Sequence, residues 1–159
     1  MTERFGIRPA ASTDAEIIAH HRRAMSVDVL GPFDAADLEA MDASFTPYVR
    51  RGLEDGLYRG WLACSADGQV VAGGGLIVHE WLSYPWAADP RRAYIANVYT
   101  EPEQRGKGIA RRILKAIVDW CRDEGLQVVY LHASECGRPL YTSLGFEATN
   151  EMRLRLEAE

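Results

Sequence analysis

The sequence predicts a single α/β domain in which a mixed central β-sheet is flanked by helices. Segments with strand and helix patterns alternate along the chain, which is typical of this class. A glycine turn at residues 98–110 joins a β-rich run directly to an amphipathic helix. The 159 residues, 47% hydrophobic and 26% charged, fit one globular domain and contain no linker or repeat.

The N-terminal third of the chain predicts one strand followed by two helical regions. Residues 5–8 predict a short strand. A helix is predicted from Thr13, because Thr13 and Glu16 have the spacing of a capping box. Residues 34–54 predict a second helical region, which Pro47 is expected to break or kink into two parts.

A β-hairpin is predicted next, with strands at residues 58–64 and 69–79 and a turn at residues 66–68. The second strand contains the run Gly73-Gly74-Gly75. No helix follows these glycines, so the run favours a bulge or a bend over a phosphate-binding loop. We assign it no ligand.

The remaining elements are predicted as strand, helix, strand, helix and strand. β-branched and aromatic residues indicate a strand at residues 93–100. A four-residue apolar repeat indicates a helix from Ile109 that stops at Gly125. An apolar run at residues 128–131 indicates a buried strand beside the earlier one, and the last helix and strand meet at residues 140–146.

Composition excludes several classes of function. The net charge of −5 opposes binding to nucleic acid, which needs a concentrated positive surface. The longest apolar run, residues 70–78, is too short to cross a bilayer, and the N-terminus carries no signal region. Cys64, Cys121 and Cys136 are too few and too scattered for a disulfide framework or a metal site. We therefore expect a cytoplasmic protein with no metal, nucleic-acid or membrane partner.

The glycine turn has the properties of an anion-binding site. Gly106 and Gly108 carry no side chain, so backbone N–H groups can converge on an oxyanion at the positive end of the following helix. The turn lacks the glycine and lysine spacing of a P-loop and the three-glycine spacing of a dinucleotide fold. A pyrophosphate is the predicted ligand.

Two motifs resemble the GNAT superfamily of acyl-CoA-dependent N-acyltransferases. Residues 105–110, Arg-Gly-Lys-Gly-Ile-Ala, resemble the loop by which that family holds the pyrophosphate of coenzyme A. Residues 140–146, Leu-Tyr-Thr-Ser-Leu-Gly-Phe, resemble its helix-to-strand signature near the C-terminus. The resemblance extends from about residue 58 to 156.

The resemblance implies a GNAT fold with splayed central strands and acetyl-CoA as the acyl donor. The pantetheine arm would lie between the strands at 93–100 and 127–133. Ser134 stands where many members have an asparagine. Nearby cations at 107, 111 and 112 either reach the coenzyme A phosphates or only solubilise the helix. The implied cofactor-binding residues are Val98, Thr100, Arg105, Gly106, Lys107, Gly108, Ile109, Ala110 and Ser134.

The resemblance also implies two catalytic groups. The backbone N–H of Val98 would polarise the thioester carbonyl and stabilise the oxyanion of the tetrahedral intermediate. Tyr141 matches the position of the family's acid, which protonates the departing thiolate. The alternative for Tyr141 is a tyrosine that packs where the helix meets the sheet; the motif favours the catalytic role.

The general base is not assigned by the sequence. Tyr94 stands where some members have a glutamate base. His79 and Glu80, at the end of the neighbouring strand, are the nearest candidates, and the alternative is an exposed pair with no catalytic role. A chain of water molecules would also serve.

The acceptor pocket is expected to form from residues 29–37 and from the loop at 81–86. The aromatic residues of that loop either line the pocket or form a dimer contact. The polar Asn97 inside an apolar strand either bridges neighbouring groups or contacts the acceptor. The predicted acceptor-binding residues are His79, Glu80, Trp81, Trp86 and Asn97.

These observations predict an N-acetyltransferase that transfers the acetyl group of acetyl-CoA directly to a primary amine of a small molecule. Two alternatives remain open: a non-catalytic acyl-CoA-binding sensor, and a protein or peptide N-acetyltransferase. Because dimers are common in the family, a homodimer is also expected.

Overall fold

A five-stranded mixed sheet forms the centre of the computed structural model, which describes residues 4–156. Strand order in the sheet follows chain order; neighbours are antiparallel, except that the fifth strand runs parallel to the fourth. This confirms the predicted α/β class. The elements are β1 (Gly6–Pro9), α1 (Ala15–Leu30), α2 (Ala35–Asp55), β2 (Tyr58–Cys64), β3 (Val70–Glu80), β4 (Arg91–Thr100), α3 (Ile109–Asp123), β5 (Val129–Leu131) and α4 (Arg138–Ser143).

Two apolar clusters hold the helices to the sheet. On one face, Ile113 and Ile117 of α3 are fully buried against strand residues that include Leu76. On the other, Ile18 of α1 and Val49 of α2 pack with residues of β2. The four-residue repeat predicted for α3 thus supplies its buried face, and Gly125 follows its end in the left-handed conformation (φ 71°).

The three glycines of β3 make room for side chains on both faces of the sheet. A Cβ at residue 73 would lie 2.9 Å from Nδ1 of His21, and one at residue 74 would lie 2.8 Å from Cγ2 of Ile113. At Gly75 a Cβ would overlap the hydroxyl of Tyr58. Close approach of neighbouring groups, and not a ligand, therefore accounts for these glycines.

A bulge lies beside this run, but its extra residue belongs to β4. Gly73 pairs with Tyr99 and Gly75 pairs with Ala96, so two steps along β3 match three steps along β4. Asn97, in the bulge, has φ 58° and is the one non-glycine residue with positive φ among residues 4–156. Asparagine tolerates this conformation better than most residues. The predicted bulge is therefore present, but it lies in β4, opposite the glycines of β3 where it was expected.

In the N-terminal part, neither the predicted capping pair nor the predicted break at Pro47 is present, and a kink at Pro47 stays a prediction. The carboxylate of Asp14 accepts a hydrogen bond from the N–H of Ala11 at 2.8 Å. Asp14 therefore caps this turn, and the predicted pair of Thr13 and Glu16 does not. The second helix runs unbroken from 35 to 55 through Pro47. Val49 and Gly52 are buried beyond the proline, and this packing holds the helix together across it.

The strand predicted after residue 146 is also wrong. Residues 147–156, here called the C-terminal segment, contain no strand. Met152, Leu154 and Leu156 alternate with arginines as a strand would, yet they are 94%, 82% and 86% exposed. β5 pairs with β4 over three residues, and the described chain forms no further ladder on its outer edge. A side-chain contact from Glu151 connects the segment to the residue after β5.

We expect Gly75→Ala to lower the free energy of unfolding by about 1–3 kcal/mol, because the new methyl group must displace Tyr58 from a packed core. The matched control is Gly6→Ala, where a Cβ meets nothing within 4 Å and the change should stay within about 0.5 kcal/mol. Urea unfolding of the two variants measures both values. Equal stability of the two variants would contradict the close approach described above.

Candidate active site

A cleft opens where β4 and β5 stop pairing. The two strands pair only from Ala93 with Val129 to Ile95 with Leu131, and beyond this point they separate around a cavity of about 240 Å³. This is the predicted splay. The cleft is lined by Arg22, Met25, Ser26, Val29, Leu30, Tyr94, Ile95, Ala96, Asn97, Val98, Leu131, His132, Ser134, Tyr141 and Arg153.

Buried hydrogen bonds fix the bulge at the floor of the cleft. The Asn97 amide donates to the Tyr58 hydroxyl at 2.9 Å and accepts from the guanidinium of Arg22 at 3.2 Å. Burial raises the pKa of Tyr58 to about 12, although the Asn97 hydrogen bond opposes that shift. Asn97 therefore forms the structural bridge that the sequence allowed, and its contact with an acceptor stays a prediction.

Tyr141 reaches the cleft from α4. Its ring packs edge-on against Phe146, with 5.9 Å between ring centroids, and a Cβ at Gly137 would lie 2.9 Å from its Cε2. Burial, and secondarily the nearby Tyr94, raise the pKa of Tyr141 above its ordinary value of 10.0. The hydroxyl is therefore protonated at neutral pH and can donate a proton to a departing thiolate.

Ser134 accepts hydrogen bonds from backbone N–H groups at the start of α4. Its Oγ accepts a hydrogen bond from the N–H of Gly137 at 3.1 Å, and its carbonyl accepts one from the N–H of Arg138 at 3.0 Å. The hydroxyl proton is still able to bind an acceptor in the cleft. The predicted contact between Ser134 and coenzyme A thus stays a prediction that the geometry permits.

The glycine turn has the backbone conformation that an anion site requires. Gly106 and Gly108 both have φ 76°, and Lys107 lies between them. Ile109 and Ala110 are the first residues of α3, and N–H groups in the first turn of a helix have no partner within the helix. With the positive end of the helix dipole, they form a site suited to a phosphate.

Arginine side chains brace this turn from two sides. Arg105 donates from Nε to the carbonyl of Thr100 at 2.9 Å and from Nη2 to Asp28 of α1 at 2.6 Å. Arg112 donates to the carbonyl of Phe5 at 2.8 Å. In this structure both arginines attach the turn and α3 to neighbouring elements.

Four of the predicted acceptor residues do not line the cleft. His79 Nε2 lies 2.8 Å from the hydroxyl of Tyr130, and Glu80 is exposed at the end of β3. Trp81 and Trp86 are 57% and 70% exposed in the connection between β3 and β4. Their assignment to acceptor binding therefore gains no support from the cleft and stays a prediction.

A row of hydrogen-bonded residues that the sequence did not predict lies at the cleft wall. The Tyr94 hydroxyl lies 2.6 Å from Nδ1 of His132, whose Nε2 lies 2.7 Å from a carboxylate oxygen of Glu151. A polar histidine directly after a short apolar strand was a signal that could have identified His132. Nothing local in the sequence indicated Glu151, because its position depends on the path of the C-terminal segment.

Positive charge dominates the same part of the cleft. Arg22 of α1 and Arg153 of the C-terminal segment both line it, and none of its lining residues in the described chain is acidic. Burial raises the pKa of Tyr94, Arg22 and Arg153 each oppose that shift, and Glu151 adds to it. The field of both arginines therefore reaches the tyrosine at the centre of the cleft wall.

The fold and the cleft together define an α/β domain with a splayed central sheet, a glycine turn at the start of α3 and a half-buried tyrosine in the cleft. The chain belongs to the acetyltransferase (GNAT) family, whose family model matches residues 23–146. That match includes both motifs on which the resemblance was based.

Solved structures and curated relatives agree with this assignment. A GCN5-related N-acetyltransferase from Ralstonia eutropha JMP134 is 33% identical, with a TM-score of 0.89, over 96% of this chain and 99% of that one. A predicted acetyltransferase from Clostridium acetobutylicum, solved with acetyl-CoA, is 28% identical with a TM-score of 0.84, over 97% and 96% of the two chains.

The curated relatives match over a shorter span. Glucosamine 6-phosphate N-acetyltransferase of Trypanosoma brucei brucei is 33% identical over 40% of this chain and 43% of its own length. Thialysine N-epsilon-acetyltransferase of Bos taurus is 30% identical over 54% of this chain and 49% of its own length. The chain thus matches less than half the length of either relative.

We expect Gly108→Asp to weaken acetyl-CoA binding by about 1.5–3 kcal/mol, tenfold or more in Kd, because a carboxylate would repel the pyrophosphate. Gly68→Asp is the matched control, since Gly68 also has positive φ (87°) but lies in the β2–β3 turn. Isothermal calorimetry with acetyl-CoA measures both variants. An unchanged Kd in the Gly108 variant would exclude the turn as the pyrophosphate site.

Proposed function

We propose that the chain is an acetyl-CoA-dependent N-acetyltransferase that acts directly on a primary amine of a small molecule. The observation that carries the proposal is the cleft, which is lined by Tyr141, the proposed acid, and by Val98 on the edge of β4 that β5 leaves unpaired. Membership of the acetyltransferase family and the acetyl-CoA of the Clostridium acetobutylicum relative support acetyl-CoA as the donor. The pantetheine would pair with the edge of β4 from Val98 to Thr100.

The proposed reaction is a single transfer with no acyl-enzyme. The amine nitrogen forms a bond to the thioester carbon, and the oxyanion that develops is stabilised by the N–H of Val98, an effect worth about 3 kcal/mol. The carbon–sulfur bond then breaks as Tyr141 gives its proton to the thiolate of coenzyme A, and the positively charged nitrogen of the product loses a proton to the Tyr141 oxygen, which leaves a neutral amide and restores the phenol. Holding donor and acceptor in one cleft supplies much of the remaining acceleration.

The acceptor is proposed to carry an acidic group near its amine. Arg22 and Arg153 face the cleft with no acidic residue among its described lining, and an arginine pair of this kind suits a phosphate or a carboxylate. The names of the two curated relatives both describe small amine substrates, one of which carries a phosphate. Both facts favour a small molecule over a protein amine.

A cytoplasmic location and a homodimer remain part of this proposal. Cys64, Cys121 and Cys136 are all free thiols, as a reducing compartment favours. Within residues 4–156, no helix is long and apolar enough to cross a membrane. Exposed Trp81 and Trp86 would suit a contact between two copies of the chain.

Tyr141→Phe should lower kcat by about 10²–10³-fold with little change in the Kd for acetyl-CoA, because the variant keeps the ring and loses the proton. Tyr48→Phe on α2, away from the cleft, is the control and should retain activity. Amine-dependent thiol release and calorimetry measure the two quantities. Wild-type binding of acetyl-CoA without release to any amine would favour the sensor alternative, and full activity of the Tyr141 variant would exclude it as the acid.

Glucosamine 6-phosphate should be acetylated with a kcat/KM at least about tenfold above that of glucosamine, since an added charged contact contributes about 1.5–3 kcal/mol. Arg153→Gln should remove that preference, whereas Arg155→Gln, in the same segment but outside the cleft lining, should keep it. A second pair, a free amino acid and its amide, tests a carboxylate in the same way. Equal rates within both pairs would contradict an acidic acceptor.

A further inference from the structure

The row Tyr94, His132 and Glu151 connects the cleft to the C-terminal segment through two short contacts. The distances are 2.6 Å from the Tyr94 hydroxyl to Nδ1 of His132 and 2.7 Å from Nε2 of His132 to Glu151. Tyr94 and His132 both line the cleft. The polar side-chain atoms of these three residues take no part in the backbone hydrogen bonds of the sheet or in the apolar core. Their contacts with one another therefore require another explanation.

The chemistry of the three groups determines where the protons lie. An ionised carboxylate only accepts hydrogen bonds, so Nε2 of His132 must donate to Glu151. Nδ1 is then the basic nitrogen of the imidazole, and the Tyr94 hydroxyl donates to it. The phenol oxygen keeps lone pairs that can accept a hydrogen bond from a molecule in the cleft.

The charged and titratable neighbours of the row come from every element around it. Arg22 faces Tyr94 from α1, Arg153 faces it from the C-terminal segment, and the ring of Tyr130 on β5 packs against it at 5.0 Å. Burial raises the pKa of Tyr94, so its hydroxyl keeps the proton that it donates to His132. Tyr94 also contributes to the raised pKa of Tyr141, so the row and the proposed acid act in one electrostatic environment.

We propose that His132 is the proton acceptor for the amine, that Tyr94 is the catalytic residue that passes the proton to it, and that Glu151 is the positioning residue of His132. This inference rests on the proposed function. A proton leaves the ammonium group of the acceptor for the Tyr94 oxygen as the Tyr94 hydroxyl proton moves to Nδ1. The free amine then attacks, and the imidazolium is stabilised by the Glu151 carboxylate.

The earlier candidates fit this task less well. His79 lies outside the cleft lining and contacts the hydroxyl of Tyr130, and Glu80 is exposed at the end of its strand. An imidazole is also suited to the step, because its ordinary pKa, about 6.5, lies near neutral pH. The sequence left the general base unassigned, because Tyr94 stands where some family members have a glutamate. The row therefore supplies that base.

His132→Gln should lower kcat/KM about 100-fold at pH 7.5 and remove the decline in rate at acid pH that the proposal predicts for wild type. The Kd for acetyl-CoA should not change. His20→Gln is the matched control, because His20 also contacts a carboxylate, Glu101, at 2.8 Å, and lies outside the cleft lining. Tyr94→Phe should show a loss similar to that of the His132 variant.

Glu151→Gln separates proton transfer from a purely structural role. Removing the carboxylate removes a group that favours the imidazolium, so the acidic decline should move to lower pH. A residue that only held the segment in place would lower the rate without moving the profile. An unchanged profile in both the His132 and Glu151 variants would overturn the proposal.

Two further outcomes distinguish this inference from the proposed function. If His79→Gln removes the acidic decline while His132→Gln keeps it, the base lies at the end of β3 and the inference is wrong. If wild type binds acetyl-CoA and releases no thiol with any amine, the proposed function fails and the inference fails with it. Melting temperatures of all variants exclude misfolding as the cause.

Discussion

The buried hydrogen bond between Asn97 and Tyr58 is the interaction on which the rest of the site depends. The amide donates to the phenol at 2.9 Å with both residues buried, and the phenol reaches it only because Gly75 has no side chain. This contact holds Asn97 at positive φ, which inserts one residue into β4. A bulge bends its strand and increases the local twist. The parallel ladder with β5 ends at Ile95, two residues before Asn97, and the cleft begins there.

Two tyrosines of the cleft are held in their protonated forms by burial. Desolvation raises the pKa of both Tyr94 and Tyr141, because a phenolate has no solvating partner there that equals water. They approach the cavity from different elements, β4 and α4. One phenol can therefore lose a proton to the leaving group while the other exchanges protons with the imidazole beside it. In the proposed reaction, two chemically identical side chains thus take different roles because their neighbours differ.

Short-range patterns in the sequence predicted the parts of the molecule that depend on neighbours in the chain. The turn at Gly106 and Gly108, the amphipathic α3 and the β2–β3 hairpin follow from spacing alone, and the structure contains all of them. Pro47 and the C-terminal segment show where this fails. Tertiary packing carries α2 through the proline, and the alternating residues after 151 have no strand to join. The contacts of Asn97 with Tyr58 and of His132 with Glu151 join distant residues, and no local period encodes them.

The attachment of the C-terminal segment has a consequence for how such a protein can diversify. The segment carries Glu151 and Arg153 to the cleft, yet it forms no ladder with β5, and its described apolar side chains stay exposed. Substitutions or length changes there leave the sheet register and the bulge untouched. Selection on the segment can therefore alter the charge at the edge of the cleft while the bulge and the splay between β4 and β5 stay as the core sets them. In a laboratory library, this short stretch is the place to vary acceptor preference at the lowest risk to folding.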